Sequence, residues 1–574
     1  MANLNTKARA EHTYDAIVVG SGISGGWAAK ELTERGLNTL VLERGGPVPH
    51  IEGYPTAQTH PWETKYPRGR LPAAEMAARY KAQQRTGYAL TEYTQHFFVR
   101  DDEHPYSETQ RFDWIRGYHV GGRSLLWARQ SYRWSDLDFE ANAKEGVGVD
   151  WPLRYADLAP WYDYVERFVG VSGQAEGLPH LPDGVFQPPM EMNCVEKAFK
   201  AKSEARFPDR RITIGRTANL TAPTEEQLAL GRGKCQFRNL CIRGCPFGAY
   251  FSSNAATLVA AERTGRLKIR PNSIVTEVIF DEKLNKASGV RVLDAQTGET
   301  TEFYARIVFL NASALNSAWI LLNSRSRRHP NGLGNGSDQV GRNIMDHHLG
   351  VGAMAEAPGY EEMYYSGRRP NGIYIPRFRN LGDAASRRDY LRGFGYQGGA
   401  GRPGWDRDVP GVGAERKAAL TQPGPWMVRI GGFGEILPYA DNRMTLNQEV
   451  KDKHGLPTLT FDVSIRDNER KMRKDMAAAG AEMLEAAGFR NVRSYDGDYG
   501  PGLGIHEMGT ARMGRDPKTS VLNDRNQLWE CRNVFVTDGA AMTSSSCVNP
   551  SLTYMALTAR AAAYAVDAGK KGDL

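Results

Sequence analysis

Short apolar runs separated by turn residues set the frame of the chain. Tyr14 to Val19 reads as a buried strand, followed by a glycine turn, a helix-period stretch from about Ser24 to Arg35 and a second strand, Thr39 to Leu42. This βαβ order opens a nucleotide-binding domain. Leu267 to Ile279 and Gly289 to Leu293 predict the two strands of a hairpin, and Ala305 to Asn311 a further buried strand running into a helix. From about 348 to 463, alternation with Gly and Pro punctuation predicts strands at Gly372 to Phe378, Trp426 to Ile436, Arg443 to Asn447 and Thr458 to Val463. Met472, Met476, Ala479, Met483 and Ala486 recur at helical spacing within Arg466 to Ala487. Asn533 to Val536, a turn at Asp538-Gly539 and a helix from Ser551 to Val566 return to the opening pattern. Residues 50–115 are aromatic and irregular, as a lid or wrapping segment would be. The order predicts an α/β chain with a Rossmann-like nucleotide-binding domain built from both chain ends, 1–345 and 496–574. An antiparallel-sheet substrate domain, 346–495, is inserted between them.

Length agrees, since 574 residues exceed what one hydrophobic core holds. An apolar fraction of 41% excludes global disorder. The net charge of +7 is spread along the chain, so no basic cluster supports a nucleic-acid partner. The longest apolar stretch, Ala305 to Leu322, is broken by Arg306, Asn311, Ser313, Asn316 and Ser317 and is too short to cross a membrane. Met1 to Tyr14 has no apolar core of a secretory signal, so the expected location is cytoplasmic unless a partner carries the chain elsewhere.

Three segments carry candidate chemistry. In Gly20-Ser-Gly22-Ile-Ser-Gly25, Gly20 permits a tight turn, Gly22 lets a pyrophosphate approach the backbone, and Gly25 lets helix and strand pack closely. Glu43, ending the second strand, can accept from a ribose hydroxyl pair. The motif leaves FAD and NAD both open, and its bland reading is a structural turn. Arg116-Gly-Tyr-His-Val-Gly121-Gly122-Arg-Ser124-Leu-Leu-Trp127 is either a strand-to-helix loop or a second backbone cradle for the cofactor. In His506-Glu-Met-Gly509-Thr510, histidine is the side chain suited to take a hydroxyl proton near neutral pH, although a lone histidine is more often structural. Asn549, opening the last helix, is its candidate companion.

Together these segments resemble the glucose–methanol–choline oxidoreductase family over nearly the whole chain. The resemblance implies FAD as cofactor, with contacts from Gly20, Gly22, Gly25, Glu43, Arg116, Gly121, Gly122, Ser124, Trp127, Val275, Asp538, Gly539 and Asn549. It implies that His506 accepts the proton of a substrate hydroxyl while hydride leaves for the flavin, with Asn549 as the second catalytic residue. Asn at that position is similar to the sugar-oxidising branch. Some members of that branch tether FAD through a histidine just before the tryptophan of the second motif. Here Leu126 precedes Trp127, so non-covalent FAD is expected, and His119 lies before the glycine pair, badly placed to substitute.

Six cysteines are too few for a disulfide scaffold, but Cys235, Cys241 and Cys245 crowd into one loop within 232–250. Thiolates so spaced can converge on an iron–sulfur cluster, and three favour [3Fe–4S] over a four-ligand cubane. Zinc is the alternative metal, weakened by the lack of a nearby histidine, and three unrelated free thiols the bland reading. The spacing and the Cys245-Pro246-Phe247-Gly248-Ala249 continuation are similar to those of bacterial FAD and [3Fe–4S] sugar dehydrogenases. The run from Phe247 through Ser253 to Leu258, and Arg270 to Ile274, resemble glucoside 3-dehydrogenases. That resemblance implies oxidation of the C3 hydroxyl of glucosides or disaccharides to 3-keto sugars. It also implies a small partner subunit bearing the export signal, electron transfer to a cytochrome c type acceptor, and a periplasmic or membrane-associated setting through that partner. An oxygen-using oxidase, a carrier flavoprotein without a small substrate and a binding module remain the rival readings. Tyr364, Tyr365 and Trp405 either shape the substrate pocket or fill a core.

Overall fold

The computed structural model describes residues 11–364, 371–382, 387–404, 409–497 and 499–574. Tyr365, Trp405 and residues 1–10 lie outside them. Strand β1 (Thr13–Val19), helix α1 (Ile23–Glu34) and strand β2 (Thr39–Leu42) form the expected βαβ unit. Strands β3 (Leu267–Arg270), β4 (Thr300–Leu310) and β5 (Cys531–Val536) complete a parallel core in the order β5-β4-β1-β2-β3. Helix α2 (Ser551–Lys571) ends the chain.

The strands are apolar throughout because both faces are covered. Ile17, Val19, Leu40 and Leu42 enter the main core, whereas Ala16, Val18 and Val41 pack with Ala28, Ala29 and Leu32 of α1 and Ala561, Ala562 and Ala565 of α2. The chain leaves β1 for β2 on one side and pairs β4 on the other, so a crevice opens at the carboxyl ends of these strands. The motif residues Gly20, Glu43 and Asp538, and Asn311, all follow those ends.

The expected strand from Leu267 to Ile279 is two strands. Pro271 has no N–H to give a ladder and Asn272 adopts φ 55°. Leu267–Arg270 therefore stays in the parallel sheet, while Ser273–Asp281 turns out to pair antiparallel with Lys286–Asp294. Helix Asp467–Ala486 buries Met472, Met476, Ala479 and Met483 against a sheet of Arg490–Asp496, Val351–Glu356, Met427–Glu435, Phe394–Gly401, Ile373–Ile375 and Thr213–Ile214. The other two expected strands form, but in a different sheet. Arg443–Lys451 and Pro457–Asp462 join Ser107–Glu108 in a small separate sheet. Phe461 stacks on Phe112 there and enters the main core. Ala305 to Leu322 divides into β4 and helix Ala314–Asn323, and among the described residues no helix is long and apolar enough to cross a membrane.

Candidate active site

One large cavity lies at the crevice. Its walls include Gly20, Gly22, Glu43, Arg116, Gly122, Ser124, Trp127, Val275, Asp538 and Gly539, and also His506 and Asn549. Gly25 and Gly121 stand directly behind this lining. A Cβ on Gly25 would lie 1.8 Å from the Gly20 carbonyl oxygen, which is why helix and turn pack so closely. Gly20 itself has φ 93° and sits against Asn311. A Cβ on Gly22 would meet nothing within 4 Å, because that edge of the turn borders the open cradle at the N-terminus of α1. The second glycine pair closes the cradle, since Gly121 N–H donates to Ser21 Oγ at 2.9 Å and Gly122 borders Gly22. Gly122–Leu125 is a single turn of 3-10 helix.

Glu43 accepts from Ser21 N at 3.1 Å, Ser21 Oγ at 2.6 Å and Gly45 N at 3.0 Å. A carboxylate offers about four lone-pair positions, so one is left for a ribose hydroxyl. Asp538 accepts from Ser317 Oγ at 2.6 Å and Ala540 N at 2.9 Å, and burial pushes its carboxyl up to about 6. Arg116 pairs with Asp101 and stacks on Trp114.

His506 and Asn549 reach the cavity from segments that are remote in sequence. The backbone of His506 is clamped by Asp346, whose carboxylate accepts from His506 N at 3.0 Å, Gly502 N at 2.8 Å and Gly504 N at 2.9 Å. Burial, and then Glu507, pushes Asp346 up to about 7. Burial also holds the His506 imidazole well below the usual histidine range, with His347 and Arg123 adding to the shift, so the ring is neutral and able to accept a proton. Arg123 in turn is held by Glu507 at 2.8 Å and 3.2 Å. Gln397 Nε2 donates to Asn549 Oδ1 at 2.5 Å. None of Asp346, His347, Arg123 or Gln397 was singled out by sequence. Gln397 lies on strand Phe394–Gly401 one residue from the core side chain Tyr396, and two-residue alternation is the only signal that turns it toward the cavity. Tyr364 is 73% exposed, which removes the core reading for it.

The likeness to other proteins agrees with this geometry. The model of the GMC oxidoreductase N-terminal part matches residues 14–349 and that of the C-terminal part residues 438–558. The chain belongs to the GMC oxidoreductases. Members of this family bind FAD and act on CH–OH groups. It is 28% identical to 2-methyl-1,2-propanediol dehydrogenase of Mycolicibacterium austroafricanum, over 96% of this chain and 94% of that one. It is 27% identical to the fructose dehydrogenase large subunit of Gluconobacter japonicus, over 96% and 97%. Pyridoxine 4-oxidase from Mesorbium loti shares the fold, with a TM-score of 0.59 at 18% identity over 96% and 98% of the two chains.

The cradle around Gly22 fits the pyrophosphate of the FAD that this family binds. Gly25→Ala is expected to cost about 1–3 kcal/mol, as an overpacked contact does, and to release FAD. Thermal unfolding and flavin absorbance after desalting check it; unchanged values for both would place the helix further from the turn.

The cysteine loop lies outside the cavity, behind the wall at 124–129. Ser253 N–H donates to Ser124 Oγ at 3.0 Å and Trp127 Nε1 to the Phe251 carbonyl at 3.1 Å, so the wall and the end of the loop are joined. Cys235 is buried and Cys241 and Cys245 half-buried. Burial pushes the Cys241 thiol up to about 11, Arg129 opposes this, and Cys245 and Cys235 act on it as neighbours. Among the described residues, no three His, Cys, Asp or Glu side chains converge as ligands of one metal ion. This bears on the zinc and the iron–sulfur expectations alike.

Two buried arginines flank the loop. Arg129 lies against Tyr250, and Arg232 donates only to the carbonyls of Gly248, Phe168 and Val169. Among the described residues neither has a carboxylate partner. Cys241 and Cys245 stand close enough to Arg129, and Cys245 to Arg232, for a thiolate there to stabilise the guanidinium charge. Residues within 54–93 touch this loop. Tyr54 covers Gly244, and Arg243 donates to the Thr59 carbonyl at 2.9 Å and lies over Tyr93.

Proposed function

We propose that the protein is an FAD-dependent dehydrogenase that oxidises a ring hydroxyl of a pyranoside, at C3 of a glucoside or disaccharide. Its electrons pass by way of a [3Fe–4S] cluster on Cys235, Cys241 and Cys245 to an external one-electron acceptor. The observation that carries the reading is the convergence of His506 and Asn549 on the cavity that the glycine turn opens. His506 takes the hydroxyl proton. Asn549 holds the hydroxyl oxygen: its Oδ1 is engaged by Gln397, which leaves Nδ2 as the donor. FAD, when bound, supplies the acceptor for the hydride of the carbinol carbon, so the alcohol leaves as a ketone. Ser124, Leu126 and Trp127 line the cavity, with Leu126 where a tether would need a nucleophile, which supports non-covalent FAD.

The cluster, when bound, supplies a one-electron relay. Support for it is the pair of buried guanidiniums, because a buried cation is costly unless an anion faces it, and three thiolates on iron make an anionic group. Outward, the loop exposes Phe237, Ile242, Phe247 and Lys234, with Arg238 and Arg243 half-buried beside them. An apolar, positively charged face of this kind suits an acidic acceptor such as a cytochrome c type protein. The relative named as a large subunit supports a partner subunit, and through it a periplasmic or membrane-associated location.

Incubation with methyl glucoside and an artificial acceptor is expected to yield the 3-keto product, and the purified protein to contain iron and acid-labile sulfide. A 2-keto or 6-aldehyde product would overturn the regiochemistry. Peroxide release at the full turnover rate, without iron, would favour an oxygen-using oxidase.

A further inference from the structure

A second histidine stands behind the first. His347–His348 is a short strand paired antiparallel to Met427–Glu435, with His347 opposite Glu435. This pairing holds His347 in place. His347 Nδ1 lies 2.8 Å from His506 Nδ1. Its other nitrogen, Nε2, lies 3.0 Å from the Ser545 carbonyl and 2.8 Å from that of Ser546.

These contacts have one consistent proton arrangement. Carbonyl oxygens only accept, so His347 Nε2 carries its hydrogen. A neutral imidazole then has a lone pair at Nδ1, which must accept. The hydrogen between the rings therefore belongs to His506 Nδ1, and His506 Nε2 is left unprotonated. We propose that His347 is a positioning residue that locks His506 into the tautomer with a bare Nε2, the nitrogen that receives the substrate proton. The proposal rests on the reading of His506 as the base.

The partition of charge follows from the surroundings. Burial pushes His347 down to about 4, so it does not take the proton onward, and the charge stays on His506. Facing the two rings are Arg123 and Glu507 as an ion pair, Asp346 beneath the His506 N–H, and Glu435, which accepts from Ser545 N at 3.0 Å and pairs with Arg392 at 2.9 Å. With His347 as donor only to carbonyls, the imidazolium formed on His506 keeps its Nδ1–H bond. The ring is thus oriented alike before and after proton transfer.

The tautomer can be read without substrate, by solid-state 15N NMR of the FAD-loaded protein labelled at its 12 histidines, with His506→Gln assigning the signal. A protonated Nδ1 and bare Nε2 are expected; a protonated Nε2 overturns the proposal. In anaerobic flavin reduction by methyl glucoside, His347→Leu is expected to lower the limiting rate by roughly 10–100-fold, part of what a positioned base contributes. Sugar affinity should hold within about threefold, and the acid limb of the pH profile should shift. His347→Asn, which keeps an acceptor near the Nδ1 position, should recover much of the rate. A wild-type rate and pH profile in His347→Leu, with His506→Ala slow, would overturn the positioning role alone. A wild-type rate in His506→Ala would instead overturn the base assignment.

Discussion

His506→Ala is expected to slow flavin reduction by sugar about 10²–10⁴-fold, the range of a positioned general base, while FAD stays bound. The side chain lines the cavity, whereas the proposed cofactor cradle is built from Gly20, Gly22 and Gly122, so losing the imidazole should leave those contacts in place. The pH dependence has a definite sign. Burial disfavours the charged ring, so the base stays neutral well below the ordinary histidine value of 6.5. The wild-type rate of flavin reduction should therefore hold steady as pH falls through that value, with its acid limb lower. Stopped-flow reduction across pH measures both. Wild-type bleaching in the alanine variant, or a limb centred at 6.5, would remove His506 from the role.

Cys241→Ser is expected to strip most of the iron and acid-labile sulfide and to lower the rate of one-electron acceptor reduction by roughly tenfold or more. Sugar should still bleach the flavin, since the loop lies behind the cavity wall and contributes nothing to its lining. A serine hydroxyl is a far poorer ligand for iron than a thiolate. Loading must also release the Cys241 proton, which burial holds up to about 11, so cluster assembly should improve as pH rises. Metal analysis, the absorption spectrum and cytochrome reduction read the outcome. Unchanged iron together with unchanged acceptor turnover would leave the three cysteines as ordinary thiols. Arg129 and Arg232 would then be buried cations without an account.

Local chemistry made the nucleotide unit legible. Gly20 needs its positive φ, Gly25 needs to lack a Cβ, and the apolar runs of β1 and β2 need cover on both faces, so composition and spacing expose all three. Expectation went wrong where partners are non-local. Thr458 to Val463 alternates like any strand, yet nothing along the chain says that it pairs with Ser107–Glu108 and carries Phe461 into the main core. The break at Pro271 was visible as a residue. Its effect, sending one strand into the parallel sheet and the next into a hairpin, depends on which edges were free.

The sequence by itself determined the family, the candidate cofactor cradle at Gly20 to Gly25, and the candidates His506, Asn549 and the three clustered cysteines, because each is a residue type whose chemistry or conformation is unusual at its spacing. Only the tertiary structure decided what surrounds them. His347, 159 positions from His506, meets its ring at 2.8 Å, and Gln397 meets Asn549 across 152 positions. Arg129 and Arg232 are read as counter-ions only once burial has removed water from them and, among the described residues, no carboxylate pairs with them. Hydrogen-bond direction and desolvation are properties of assembled neighbours, and no stretch of chain carries them alone.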